Sequence, residues 1–373
     1  MTYYTKIEQL EMLTPSQMNE LSEVTDKFAF RANDYYLSLI DADDPCDPIR
    51  RIVVPSTDEL DDWGFLDPSD EQAYTVLQGL EHKYASTVLL LVRNACECIC
   101  RYCFRKRVFI HPQHEVLKDI DAMAEYISVH PEVTNVLITG GDPLVLSTNK
   151  LERIIRTLRQ IEHVRFIRIG TRMISFNPYR ILDDPSLCEM IERYSRPGNK
   201  IYMMAHFSHP RELTDVALEA VHRLQKAGAI LTNQCPLIRG VNDDSDTLAE
   251  LMIRVAAAGI APYYLFQCRP ALGNHAYTVP IEEGYRIVEG AKEQLSGLAK
   301  RFRYVMSHAT GKIEIVAVTD DQVCFKYHRS AEDSDSGRIL ICQSNPRACW
   351  LDDYEEVLDD VSAGTPRSRD ELD

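Results

Sequence analysis

From about residue 87 onward the apolar positions of the chain fall into two alternating rhythms. "TVLLLV" (87–92) is a continuous apolar run, the pattern of a strand buried on both faces. "EVLKDIDAMAEYISVH" (115–130) has helical spacing, "VTNVLIT" (133–139) reads as a strand and "NKLERIIRTLRQIE" (149–162) as a helix. "VRFIRIG" (164–170) and "KIYMMAHF" (200–207) are further strands, separated by the helical "DPSLCEMIERYS". "ELTDVALEAVHRLQKAGA" predicts an amphipathic helix stopped by Gly228, a residue free to take the left-handed conformation that ends helices. Strand "ILTNQC", helix "DTLAELMIRVAAAG", strand "PYYLFQC" and helix "IEEGYRIVEGAKEQLSG" complete the series. Six strands interleaved with helices predict an α/β fold, either an open doubly wound sheet or a partial barrel. In both, ligands bind at the carboxyl ends of the strands.

The flanks have other rhythms. Residues 1–80 predict a helical cap, with "TPSQMNELSEVTDKFAFRANDYYLSLI" helical and a link rich in Pro and Asp behind it. Residues 81–300 hold the β/α series, and 301–350 predict a small extension of short strands, "RYVMS", "KIEIVAV" and "QVCFKYH". The acidic stretch 351–373 predicts a mobile tail. No signal-peptide pattern opens the chain and no apolar run is long enough for a membrane span, so the expectation is a cytoplasmic protein without a membrane partner. A net charge of −16 weighs against nucleic acid, whose phosphates demand an excess of clustered Lys and Arg. Against that background Arg105-Lys106-Arg107 stands out and suggests a seat for a small anion.

Eleven cysteines, an odd number scattered along the chain, do not make a disulfide framework. Cys188, Cys235, Cys324 and Cys342 read as free core thiols. "NACECICRYCFRKR" (94–107) is different, and it lies directly after the first strand of the series. Cys96, Cys100 and Cys103 make C-x3-C-x2-C, with Cys98 between the first two. Three thiolates on a short loop suit three irons of a [4Fe–4S] cluster, leaving one iron open. Structural zinc wants four ligands, and no second C-x2-C pair or H-x3-H lies nearby to supply them. Cys98 reads as a bystander. The next strand ends in "LITGGDPLVLS" (137–147), where Gly140 and Gly141 let backbone approach a ligand and Asp142 offers a carboxylate to an ammonium group.

The C-x3-C-x2-C loop, with Tyr102 before its last cysteine and Gly-Gly-Asp one strand later, resembles the radical SAM enzymes. More narrowly, "HKYASTVLLLVRNAC", "CRYCFRKR", "TGGDPLVLS", "RIGTR", "HFSHPREL", "NQCPLIRGVNDD", "PYYLFQC" and "RYVMSHATGKIEI" resemble the lysine 2,3-aminomutase family, from about residue 80 to 320. The resemblance implies a partial (β/α)6 barrel and a [4Fe–4S] cluster on Cys96, Cys100 and Cys103. It implies S-adenosylmethionine (SAM) on the open iron as source of a 5′-deoxyadenosyl radical, and pyridoxal 5′-phosphate (PLP) joined to a C-terminal lysine. The reaction implied is a 2,3-shift of the amino group of an amino-acid-like substrate. The implied partners are an electron donor such as flavodoxin or ferredoxin, and a second copy of the chain in a homo-oligomer. Residue by residue, Gly140, Gly141 and Asp142 then grip the SAM amino group, and Arg105 matches the arginine that holds the substrate carboxylate. Lys312 takes the place of the PLP lysine, and Tyr84 and Gln234 border the PLP phosphate. Arg172 stands where it can meet the SAM carboxylate, with a structural ion pair as its other reading.

Some family positions differ. Thr87 stands where the family has an arginine for the PLP phosphate, and "SHATG" is shorter than the family's glycine-rich run; Arg269 and His308 are the side chains that could compensate. Arg269 and Ser307 stand where the lysine-specific enzymes set aspartates against the distal ammonium. A cation there repels an ammonium, which weighs against lysine and toward an anionic amino acid such as glutamate. Of His206 and His209, one touches the cofactor or both are core histidines. No cysteine follows Cys349, so the family's subunit-bridging zinc site is not expected. Two other readings stand beside this one: a PLP-independent radical SAM enzyme acting on an anionic substrate, and a non-catalytic binding module stabilised by zinc.

Overall fold

The computed structural model describes residues 1–110, 115–355 and 357–361. In the N-terminal region the long predicted helix is interrupted. Thr14 caps a helix Pro15–Lys27, its side chain accepting from Gln17 N. The chain then leaves the helix so that β1 (Tyr3–Tyr4) can pair antiparallel with β2 (Ala32–Asn33), and a single turn Asp34–Leu37 follows, capped by Asn33. Asn33 is fully buried and also donates to Phe176 O at 2.9 Å, so a distant residue fixes the break.

The main sheet has thirteen strands in sequential order. β3 (Thr75–Leu77) and β4 (Leu80–Tyr84) form an antiparallel hairpin that the sequence pattern did not reveal. Seven parallel strands follow: β5 (Thr87–Arg93), β6 (Asn135–Gly140), β7 (Phe166–Thr171), β8 (Ile201–Ala205), β9 (Ile230–Leu237), β10 (Ala261–Gln267) and β11 (Arg303–His308). β12 (Gly311–Val318), β13 (Gln322–Ser330), β14 (Ile339–Gln343) and β15 (Val357–Val361) continue it antiparallel. β3 and β15 remain as two ends, so the sheet is a mixed α/β sheet that does not close into a barrel. The acidic tail is corrected in part: 357–361 is a paired edge strand, while 362–373 lie outside the described residues. No described helix is long and apolar enough to cross a membrane.

The two-residue period of the strands divides their side chains between two environments. Val88, Leu90, Val136, Ile138, Ile167, Ile169, Met203, Leu265, Ile313 and Ile315 join the main core with the apolar stripe Leu151, Ile154, Ile155 and Leu158 of one covering helix. Each such fully buried aliphatic contributes about 1.5–3 kcal/mol. The alternate positions, Thr87, Leu89, Leu137, Thr139, Arg168, Met204, Gln234, Phe266 and Lys312, line an interior cavity instead. The cap has its own core of Ile7, Leu21, Val24, Phe28, Tyr36 and Ile52, but Cys98, Tyr102, Phe176 and Tyr277 belong to it too. It is therefore not a detached layer: the cysteine loop is built into it.

Candidate active site

One cavity of about 350 Å³ brings together almost every side chain singled out from the sequence. Cys96, Cys100, Cys103, Arg105, Gly140, Gly141, Asp142, Arg172, Tyr84, Gln234, Arg269, Ser307 and Lys312 all line it. His308 does not: its ring meets Thr310 Oγ1 at 2.8 Å and Asp352 Oδ2 at 3.1 Å, so it is not the compensating anion binder that the sequence suggested. His206 lines the cavity, while the His209 ring accepts from Arg211 N at 3.2 Å and caps a turn.

The cysteine loop is held from behind. Ile99 N donates to Arg31 O and Arg101 N to Ile52 O, both at 2.8 Å. The Arg101 guanidinium meets Glu59 at 2.8 Å with both side chains buried. Cys98 also lines the cavity, yet it is fully buried and packs in the core of the cap. Among the described residues no three His, Cys, Asp or Glu side chains converge tightly enough for a single metal ion. Three thiols lining one cavity suit a multi-iron cluster, in which each cysteine meets a different iron.

The Gly-Gly-Asp segment lines the cavity and is also tied into the strands around it. A Cβ on Gly140 would lie 2.3 Å from Arg93 O, at a φ of 128° that also favours glycine, and one on Gly141 would lie 2.5 Å from Ala95 O. What the glycines let approach is the strand leading into the cysteine loop: Gly141 N donates to Arg93 O and Asp142 N to Ala95 O. The Asp142 carboxylate is engaged by Thr171 Oγ1 at 2.8 Å, Arg172 N at 2.7 Å and Leu144 N at 3.0 Å. Burial pushes its pKa up to about 6 against those hydrogen bonds. The segment is thus a clamp joining the ends of three strands. Arg172 displays the ion-pair reading, donating to Glu212 Oε1 at 2.8 Å, to Tyr102 Oη at 2.6 Å and to Cys100 Sγ at 2.9 Å, while its buried Nε has no partner.

The basic triplet is not an open anion seat. Arg105 meets Glu71 through Nη2 at 2.8 Å and Nε at 3.0 Å, and Arg107 reaches Glu71 at 2.6 Å, Glu115 at 3.0 Å and Asp67 at 3.2 Å. Lys106 is buried against Leu272 O and Glu59. Burial alone would raise the Glu71 pKa, but Arg105, Arg107 and Arg269 hold its carboxyl well below the usual range. Arg105 keeps one edge toward the cavity, where Nη1 lies 3.4 Å from Thr139 Oγ1. Arg269 stacks on Phe104, 3.7 Å from guanidinium carbon to ring centroid, and its buried Nη1 makes no hydrogen bond.

Lys312 projects from β12 among the rings of Tyr84, Tyr264 and Phe266, 5.9, 5.5 and 5.4 Å from its Nζ. Burial, then the cations Arg269, Arg168, Arg329 and Lys83, push its pKa down to about 7. A buried amine partly neutral near pH 7 suits attachment to an aldehyde. Nearby, Tyr84 Oη and Thr87 Oγ1 are buried hydroxyls without a hydrogen-bond partner. This donor set fits a phosphorylated aldehyde such as PLP. Glu71, Glu212, Arg168 and Arg329 were missed in the sequence because each gains meaning only from a partner far along the chain. Arg168 alone left a trace, as a charge in phase with the cavity-facing positions of "VRFIRIG".

Residues 90–252 match the family model described as the radical SAM superfamily. A protein of Aquifex aeolicus (strain VF5) named "Putative L-lysine 2,3-aminomutase" is 51% identical over 357 residues, covering 95% of this chain and 96% of its own length. L-lysine 2,3-aminomutase of Acetoanaerobium sticklandii is 37% identical, over 76% of this chain and 68% of that protein. Glutamate 2,3-aminomutase of Clostridioides difficile (strain 630) is 34% identical, over 77% of this chain and 67% of that protein. These similarities, with the cysteine loop facing the cavity, set aside the non-catalytic zinc module. The chain is an enzyme of the radical SAM superfamily and belongs to the family of amino-acid 2,3-aminomutases, which are isomerases.

Proposed function

We propose that the chain shifts the amino group of an acidic α-amino acid from carbon 2 to carbon 3, using a [4Fe–4S] cluster, SAM and PLP in the one cavity. The observation that carries this reading is Arg269, a buried guanidinium lining the same cavity as the three cysteines and Lys312, whose Nη1 makes no hydrogen bond and stands 3.8 Å from a Glu71 carboxylate already held by Arg105 and Arg107. A lysine side chain would bring an ammonium against that cation, whereas a glutamate side chain would bring its counter-charge. Cys96, Cys100 and Cys103 would hold the cluster, and Lys312 would hold PLP with Tyr84 and Gln234 beside it. When bound, the cluster and SAM supply one-electron hydrogen abstraction, and PLP supplies an aldehyde and a conjugated ring to carry the amino group.

The protein's own part is positioning. Glu71 fixes one edge of Arg105 so that Nη1 faces the cavity for the substrate α-carboxylate. Phe104, Phe266, Tyr264 and Leu137 keep water from the reacting atoms. Lys312 releases its proton near neutral pH because burial and four neighbouring cations disfavour the charge. A reading without PLP is favoured by one observation, Thr87 in place of the expected arginine.

Anaerobically reconstituted protein should release 5′-deoxyadenosine and the β-amino isomer with glutamate under reduction, and much less with lysine. Turnover of lysine with none of glutamate would overturn the substrate assignment. Visible absorbance of bound PLP that disappears in Lys312→Ala supports PLP use; a featureless spectrum in both proteins refutes it.

A further inference from the structure

Lys312 has a second cation directly across the sheet. On β12 and β13, Ile313 pairs with Tyr327, but the register then slips by one, so Lys312 faces Arg329 rather than His328. The slip is a β-bulge of the kind that re-aims a side chain. Gly311 permits it, since a Cβ there would come within 2.4 Å of Arg329 O. Directly opposed side chains lie about 5 Å apart at Cβ, and like charges so placed repel. Arg168 adds a further positive charge against both Lys312 and Arg329.

This arrangement converges on the turn between β4 and β5. The Arg329 guanidinium lies 4.4 Å from the centroid of the Tyr84 ring and donates through Nη2 to Ser86 Oγ at 2.7 Å. Tyr84 Oη and Thr87 Oγ1 flank that turn and are the buried hydroxyls without partners. Two unpartnered donors beside opposed cations call for an anion with several acceptor oxygens.

We propose that Arg329, together with the hydroxyls of Tyr84 and Thr87, seats the PLP phosphate. Arg329 thereby supplies from the C-terminal hairpin the guanidinium that position 87 lacks. The inference rests on PLP use by this enzyme. It differs from the sequence expectation, which looked to Arg269 and His308.

The test compares two aldehydes on the full-length protein freed of PLP. PLP and pyridoxal, which lacks the phosphate, are titrated by absorbance into wild type, Arg329→Gln, Arg329→Lys and Thr87→Val. Loss of a charge-assisted phosphate contact should weaken PLP roughly 10- to 100-fold in Arg329→Gln and leave pyridoxal within about twofold. Arg329→Lys should recover part of the loss, and inorganic phosphate should compete with PLP in wild type but not in Arg329→Gln. Removing Arg329 also changes the charge around Lys312, but that alters both aldehydes alike, so the ratio isolates the phosphate. An equal loss for PLP and pyridoxal overturns the proposal, as does unchanged PLP affinity in both Arg329→Gln and Thr87→Val. In the second case PLP use itself stands. Wild type that binds neither aldehyde overturns PLP use and this seat together. Should Arg329→Gln fail to fold, as shown by circular dichroism, Thr87→Val carries the same comparison with an expected loss of a few-fold.

Discussion

At the cysteine end of the cavity the buried guanidinium has its counter-charge inside the protein. Arg172 meets Glu212, and Glu212 also accepts from Tyr36 Oη and from the backbone of Ser208 and His209. At the Lys312 end the charges acting most on the amine are cations, and hydroxyls nearby have no partner. The two ends share one sheet and one cavity, so the difference lies in who supplies the counter-ion. Where a loop must be shaped before anything binds, the chain brings its own carboxylate. Around Lys312, where we propose that a phosphate binds, the charges that act on the amine are cations and the hydroxyls beside it are left without partners.

Mutations should break the two ends in opposite directions. The largest effect is expected at the cluster ligands. Cys100→Ala, and likewise Cys96→Ala or Cys103→Ala, should leave no stable iron and sulfide after reconstitution and reduce 5′-deoxyadenosine release to background, as metal analysis and chromatography would read. Next comes Glu212→Gln, which strands a buried guanidinium and should lower the unfolding free energy of the cluster-free protein by about 3–5 kcal/mol in urea titrations. Glu71→Gln should cost less, about 2–3 kcal/mol at pH 7, because Arg107 retains Glu115 and Asp67. The Glu71 carboxyl is held below its unfolded value of about 4.3, so its stabilisation is present above that pH and is lost as pH falls through and below it. The difference between wild type and Glu71→Gln should therefore shrink in acid.

Lys312→Met should move the other way. With its folded pKa at about 7 and an unfolded value near 10.4, Lys312 penalises the fold fully below pH 7 and progressively less up to about pH 10. Lys312→Met should stabilise the PLP-free protein by about 1–3 kcal/mol at pH 7, and the gain should fade toward pH 10. A destabilisation at pH 7 would refute the contrast between the two ends. The smallest effect is expected from Cys98→Ala, a loss of about 1 kcal/mol with iron content unchanged.

The β/α series and the convergence of its loops were legible because strand and helix periods are local, and the cysteine loop follows its strand directly. The cap was misread at Phe28–Arg31, where β2 pairing and the contact from Asn33 to Phe176 override helical propensity. The hydrogen bonds of Asp142 were hidden for a similar reason. Its partners Thr171 and Arg172 come from the end of the next strand, so nothing local announces them. Arg329 was out of reach altogether. Its position opposite Lys312 depends on a one-residue slip that "FKYHRS" does not announce.

The burial of Cys98 under the cap bears on how the enzyme is loaded. A loop held by the core side chain of Cys98, and just beyond it by Arg31 O at Ile99 and Ile52 O at Arg101, should lose its conformational freedom when the chain folds rather than when metal arrives. Iron and sulfide would then enter a finished mould. A cluster destroyed by oxygen should then leave behind a protein that takes up iron and sulfide again without being refolded.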